Sequence, residues 1–226
     1  MPQRPLRSQD SSRDRISVRY TAYGHALATG GSMSVRSCLL AILTIGPAYG
    51  FQLHGELESR TAGRRAVNVG QIYGTLERLV KQAAVESAGS TADGLPLYRI
   101  TALGQAEALH WLADTESAPG NEWSDLVDRV LIAVSLPDPQ VLGIDARGIV
   151  ARYRRQWQSR TETATLATAA TGAERLAGAA RVALSAAALD WLRDVDALLE
   201  DGHAANFRQG LNDVRPKRGR RPASVA

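Results

Sequence analysis

The stretch NVGQIYGTLERLV, residues 68 to 80, carries an amide, a guanidinium and two glycines on one side of what reads as a helix. At 100° per residue Ile72, Leu76, Leu79 and Val80 fall on one stripe, which is expected to be buried. The opposite side then collects Gly70, Gln71, Gly74, Arg78 and Lys81, with Glu77 beside them and Tyr73 and Thr75 on the two flanks. Each glycine costs a helix roughly 1 kcal/mol against alanine. A face that met only water would gain nothing from them. The sharper reading is a helix laid against a bulky polyanion, with Gln71 and Arg78 pointing at it; the plain alternative is a weak helix with drifted glycines.

The flanking residues supply the elements that hold this helix. Asn68 stands where an N-cap is wanted and Gln71 three residues on, a capping-box spacing, so the helix is expected to run to about Gln82. Upstream, SVRSCLLAILTIG reads as a first helix ended by Gly46 and Pro47. YGFQLHGELESR reads as a second, with Phe51, Leu53 and Leu57 as its apolar contacts, and the basic loop TAGRRAV follows. Downstream, AVES and LYRI are strand-like and AGSTADGLP between them has the residues of a hairpin loop. Thr101 can cap a further helix, TALGQAEALHWLAD. Three helices, a hairpin and a departing helix are the order of a winged helix-turn-helix, whose third helix enters the major groove.

Charge is uneven along the chain. Residues 105 to 214 hold ten Lys and Arg against sixteen Asp and Glu, whereas 215 to 226 hold five cations and no acid. A polyanion would therefore meet the first half and the tails. Residues 1 to 32, rich in Arg, Ser, Asp and Gly, are expected to form a flexible basic arm. The tail RPKRGRRPASVA, with the cations Arg215, Lys217, Arg218, Arg220 and Arg221 and with Pro216 and Pro222 keeping it extended, is expected to be disordered; it is loosely similar to an AT-hook, the other reading being a solubilising basic tail with no specific role. No run is apolar enough for a membrane span or a secretory signal, so a cytoplasmic protein is expected. Cys38 lies in an apolar run and reads as a buried small hydrophobe. His25, His54, His110 and His203 stand apart in sequence, and no nucleophile and base set or phosphate loop is present. No enzyme, cofactor or metal is expected; His54 and Glu58 alone make an incomplete ligand pair.

The residues also resemble a family. LLAILTIGPAYGFQLHGELESRTAG, VNVGQIYGTLERLVKQAAVES and YRITALGQAEAL are similar to the PadR family of bacterial transcriptional regulators. The resemblance rests on Gly46, Pro47 and Gly50, on the Ile-Tyr-x-Thr-Leu core at 72 to 76, and on Thr101 with Gly104. It implies that Gln71, Tyr73, Thr75 and Arg78 read DNA, Gln fitting adenine and Arg guanine edges. Tyr73, Thr75, Asn68 and Lys81 would hold phosphate rather than bases, Arg64 and Arg65 would add backbone contacts, Arg99 is the one candidate the wing offers, and Gly70 and Gly74 would let the helix approach. Three departures qualify this: Gly74 stands where the family has Pro, the wing offers only Arg99, and Ala83 or Ala84 replaces the glycine that ends the recognition helix.

The expected fold is mainly α with a small β-hairpin: a flexible arm over 1–32, a winged helix-turn-helix over 33–114, a long-helix dimerisation and effector domain over 120–202, and a C-terminal segment over 203–226. Leu184, Ala188, Trp191, Leu192, Val195, Leu198 and Leu199 form a stripe suited to knobs-into-holes packing. Further stripes run through Trp123, Val127, Val130, Leu131 and Val134, and through Ile149, Val150, Tyr153 and Trp157. With no obvious core of their own, these helices invite a second copy. The resemblance implies the same, a homodimer on a dyad-symmetric operator of double-stranded DNA, acting as a repressor released by a small effector. Trp111, Trp123 and Trp157 are candidates for lining a pocket for an aromatic or drug-like effector, the other reading being core or interface anchors. A second function class is a protein-interaction adaptor that has lost specific DNA binding, because the wing is so poor in base.

Overall fold

The computed structural model describes residues 35–137, 142–166, 171–200 and 204–213. The arm over 1–32 and the tail over 215–226 lie outside the described residues. A first helix, α1 (35–43), is followed by β1 (Ala48–Tyr49), α2 (Gly50–Arg60), α3 (Val69–Lys81), β2 (Val85–Ser90), β3 (Pro96–Ile100) and α4 (Ala102–Ala113). Four further helices complete the order: α5 (Glu122–Ser135), α6 (Ala146–Leu166), α7 (Gly172–Glu200) and α8 (Ala204–Phe207). The first part is a winged helix-turn-helix and the second a set of long helices. None of the described helices is long and apolar enough to cross a membrane.

The wing contains a strand that periodicity does not show. Ala48 and Tyr49, expected at the loop and helix start, instead pair antiparallel with Tyr98 and Leu97, giving a three-stranded sheet in the order β1-β3-β2. Two residues are too few for a period-2 signal; only the partner strand makes them a strand. The hairpin loop is also shorter than expected. Ala88, Gly89 and Ser90 belong to β2, with a register irregularity between Ser87 and Ser90 that Gly89, at φ +85°, accommodates.

A close approach explains one glycine of the motif. A Cβ on Gly104 would stand 2.0 Å from the Ala84 carbonyl oxygen, so α4 can start against β2 only with glycine there. Thr101 secures the same corner: its hydroxyl donates to the Ala83 carbonyl and accepts the Gly104 N–H, while its own N–H donates to the Ala84 carbonyl. The corner after α3 is sharp although it lacks glycine. Ala83 adopts φ +56°, and Ala83 N–H to Val80 O with Ala84 N–H to Leu79 O complete a Schellman motif. The absent glycine thus costs strain, not geometry.

One hydrophobic cluster runs through both parts. Leu39, Leu40 and Ile42 of α1, Leu53 and Leu57 of α2, and Ile72, Leu76 and Leu79 of α3 are fully buried in it, each contributing about 1.5–3 kcal/mol of burial. Phe51, expected among the apolar contacts of α2, is 42% exposed, and Val80 likewise. Thr75 takes the buried place expected for Val80. Both sit at the edges of the α3 stripe, where the bed provided by neighbouring elements decides, and the Thr75 hydroxyl is satisfied by donating to the Gln71 carbonyl. The helical part does have a core. Helix α5 is buried on all sides from Leu126 to Val130, including Asp128 and Arg129, and packs on α2, α4, α6 and α8.

Candidate nucleic-acid interface

Helix α3 begins with the capping box read from the sequence. Asn68 Oδ1 accepts the Gln71 N–H at 2.8 Å, and Gln71 Oε1 accepts the Asn68 N–H at 3.1 Å. The Gln71 amide oxygen is therefore engaged at the cap, which leaves its amide nitrogen to reach outward. Gly70 stands beside this cap: a Cβ there would lie 3.2 Å from Asn68 Oδ1. At Gly74 the only neighbour within 4 Å of such a Cβ is the Arg78 guanidinium, at 3.9 Å, so that side of the helix is open. Gln71, Glu77, Arg78 and Lys81 are exposed. Thr75, expected as a reader, is instead 4% exposed, its hydroxyl also accepting from Arg78 Nη2 at 2.9 Å.

Tyr73 faces the sheet side and lies half-buried over Gly50 at the start of α2. Beside it, Tyr98 of β3 has its phenol pushed up, first by burial and then by the neighbouring Tyr73 and Glu77. Along the other flank of α3 runs a cleft of about 620 Å³. Arg64, Arg65, Arg78, Asn68 and both glycines line it, and no carboxylate does. Its shape and charge suit an extended anion such as a sugar-phosphate backbone.

Arg64, Arg65 and Arg99 are less available than the sequence suggests. Arg65 donates to the fully buried Asp128 of α5, and Arg64 Nε lies 3.6 Å from the same carboxylate. Arg99 is held by Glu86 across the hairpin at 2.7 Å, an exposed pair of small energetic weight. Asp128 is a residue that sequence reasoning missed. Its signal was available: an acid followed by Arg129 inside the apolar run LVDRVLIAV. Nearby Asp125 has its carboxyl raised, first by burial, against the opposing effects of the Ser117 hydroxyl, Arg129 and Arg65.

The tryptophans have different partners. Trp111 lies under the Arg129 guanidinium at 5.5 Å, and Trp123 meets Trp191 edge to face at 5.6 Å. Trp157, 2% exposed, has Arg160 stacked at 5.2 Å and borders a cavity of about 390 Å³ with Arg181, Leu184 and Ser185. Of the three candidate pocket residues this cavity takes in only Trp157. In the α7 stripe, Ala188, Leu192 and Leu199 are buried within the chain, Trp191 and Val195 are half-buried, and Leu184 and Leu198 are exposed. His54 Nε2 donates to the Val67 carbonyl, 2.7 Å away.

Two kinds of comparison with known proteins give similarities. Two solved structures of Bacillus subtilis PadR, one in complex with operator DNA and one with p-coumaric acid, align at 14% and 13% identity. They cover 71% and 74% of this chain and 97% and 99% of those chains, at TM-scores of 0.35 and 0.34. No curated protein matches the chain. The family model described as "Transcriptional regulator PadR-like family" matches residues 39–109, the span from α1 to α4 that builds the winged helix. Over residues 39–109 the chain is thus similar to the PadR-like family of transcriptional regulators.

Proposed function

We propose that this DNA-binding transcriptional regulator acts as a homodimeric repressor on a dyad-symmetric operator and is released by a small aromatic ligand in the cytoplasm. The observation that carries the DNA contact is the open face of α3. Gln71, Arg78 and Lys81 project beside two glycines, and a carboxylate-free cleft runs alongside. Arg78 and the Gln71 amide nitrogen are the base readers in this scheme. Asn68, Tyr73, Lys81 and Arg64 hold phosphate, with Arg65 and Arg99 contributing only if they leave their carboxylates. The exposed flank of α7 through Leu176, Leu184 and Leu198, with Trp191 beside it, is the surface for the second copy. The cavity at Trp157 is the seat proposed for the effector.

Selecting bound fragments from the source genome and footprinting them tests the proposal. Two protected half-sites about 34 Å apart are expected, with affinity falling steeply as salt rises. The engagement of Arg65 by the buried Asp128, with a wing that offers only Arg99, favours the second reading, an adaptor without DNA specificity. Absence of salt-sensitive DNA affinity would establish the adaptor and overturn the repressor.

A further inference from the structure

Arg60, the last residue of α2, is 3% exposed and sits where three parts of the chain meet. Its guanidinium donates to Glu56 Oε2 at 2.7 Å, to the Ser135 carbonyl at the end of α5 at 2.8 Å, and to the Gln209 and Gly210 carbonyls at 2.9 Å each. The last two belong to a segment without helix or strand, 208–213, that returns from α8 to the winged helix. Further main-chain groups of that segment are held as well. Asn212 N–H donates to Glu56 Oε1, Gln52 Nε2 donates to the Asn212 carbonyl at 3.0 Å, and Gln209 N–H donates to the Ser135 carbonyl at 2.9 Å. Leu211 is half-buried, its Cδ1 at 3.8 Å from where a Gly46 Cβ would stand.

These contacts have the form of a peptide site: the backbone is read by Gln52, Glu56 and Arg60, and a single apolar side chain is seated. A guanidinium this deeply buried is tolerable only while its acceptors are present. Withdrawal of 208–213 would remove two of them and one partner of Glu56. Segment and socket therefore form one cooperative unit, and α2 packs directly on the recognition helix α3.

We infer that Gln52, Glu56 and Arg60 form a peptide socket, filled by the chain's own residues 208–213, that latches the helical part to the winged helix and sets the position of α2 under α3. The DNA consequence rests on the proposed function above. The socket explains why a charged pair, Glu56 and Arg60, lies buried in a helix whose other buried positions are apolar or small, Gln52 excepted, which serves the same segment.

Four proteins test this: the full chain, a truncation after Asp213, a truncation after Phe207, and full-length Leu211→Asn, which adds no charge. Hydrogen exchange at α2 and at the end of α5 reads the latch, and operator affinity with its salt slope reads the consequence. Truncation after Asp213 removes the basic tail alone, so exchange should match the full chain. Truncation after Phe207 and Leu211→Asn should both speed exchange at residues 52–60 and 132–136. Both should bind operator more weakly than their tail-matched parents, by roughly tenfold or more, without a matching change in salt slope. Unchanged exchange in both variants, or unchanged affinity despite faster exchange, overturns the inference. A full chain without salt-dependent DNA affinity would instead sink the DNA reading, and exchange would still judge the latch.

Discussion

The ring of Tyr73 lies directly over Gly50: a Cβ on that glycine would stand 2.5 Å from Tyr73 Cε1 and 2.6 Å from Cζ. The recognition helix is thereby seated on the first residue of α2, and the Gly-Pro-x-x-Gly turn and the Ile-Tyr-x-Thr-Leu core become one contact. Gly50→Ala should destabilise the fold by about 1–3 kcal/mol through overpacking. Tyr73→Ala in the same chain should recover most of that loss. A double-mutant cycle by urea unfolding measures the coupling, and strict additivity would show that the ring is not what the methyl meets.

Gly74 opens onto solvent within the proposed interface, so stability and binding should part company there. Gly74→Ala should raise stability by up to about 1 kcal/mol, since only propensity changes. Gly74→Leu should keep that stability and weaken operator binding by roughly tenfold or more if this face enters the groove. Thermal unfolding and fluorescence anisotropy on the same samples decide it. Undiminished affinity in the leucine variant would place the groove face elsewhere.

Ala83 occupies the left-handed position that ends α3, at φ +56°. An L-residue with a Cβ is strained in that region, and glycine is not. Ala83→Gly should therefore stabilise the protein by about 1 kcal/mol, in spite of the freedom glycine adds to the unfolded chain. Loss of stability in urea titration would contradict the strain.

The exposed flank of α7 offers a test of association that leaves the chain's own core alone. Leu198 is 47% exposed and Leu184 42%. Leu184→Asp with Leu198→Asp should leave helix content unchanged and convert the proposed dimer to monomer, because a carboxylate cannot be buried unpaired at an apolar interface. Sedimentation at several concentrations reads the result. A dimer that persists in the double variant would move the interface to another surface.

Tyr153 links α6 to α5, its hydroxyl accepting from the buried Arg129 at 2.7 Å. Burial pushes its phenol up to about 12, more than the Arg129 charge and hydrogen bond lower it. The neutral phenol is thus favoured by the fold. Its contribution is fully present below pH 10 and is lost as pH rises from 10 through 12, by about 2–3 kcal/mol in all. Tyr153→Phe should flatten the fall in stability over that window. An equally steep fall in the variant would assign the alkaline transition to other groups.

Local chemistry was legible wherever a residue's partners lie within a few positions of it. The Asn68 and Gln71 capping box, the Thr101 cap, the buried Ile72, Leu76 and Leu79, and the order of helices and hairpin followed from spacing alone, because caps and helical faces are set within one or two turns. Spacing could not decide residues at the edge of a face. Thr75 and Val80 are both about a quarter-turn from the centre of the α3 stripe, and the packing of neighbouring elements, not polarity, chose which was buried. Nor could it reveal what depends on distant partners: β1 exists only because β3 lies beside it, and Arg65 left the set of open cations because Asp128 approaches from α5. The Arg60 socket is the extreme case. Its acceptors at 209 and 210 lie about 150 residues away in the chain, and a buried guanidinium becomes intelligible only once folding brings those carbonyls to it.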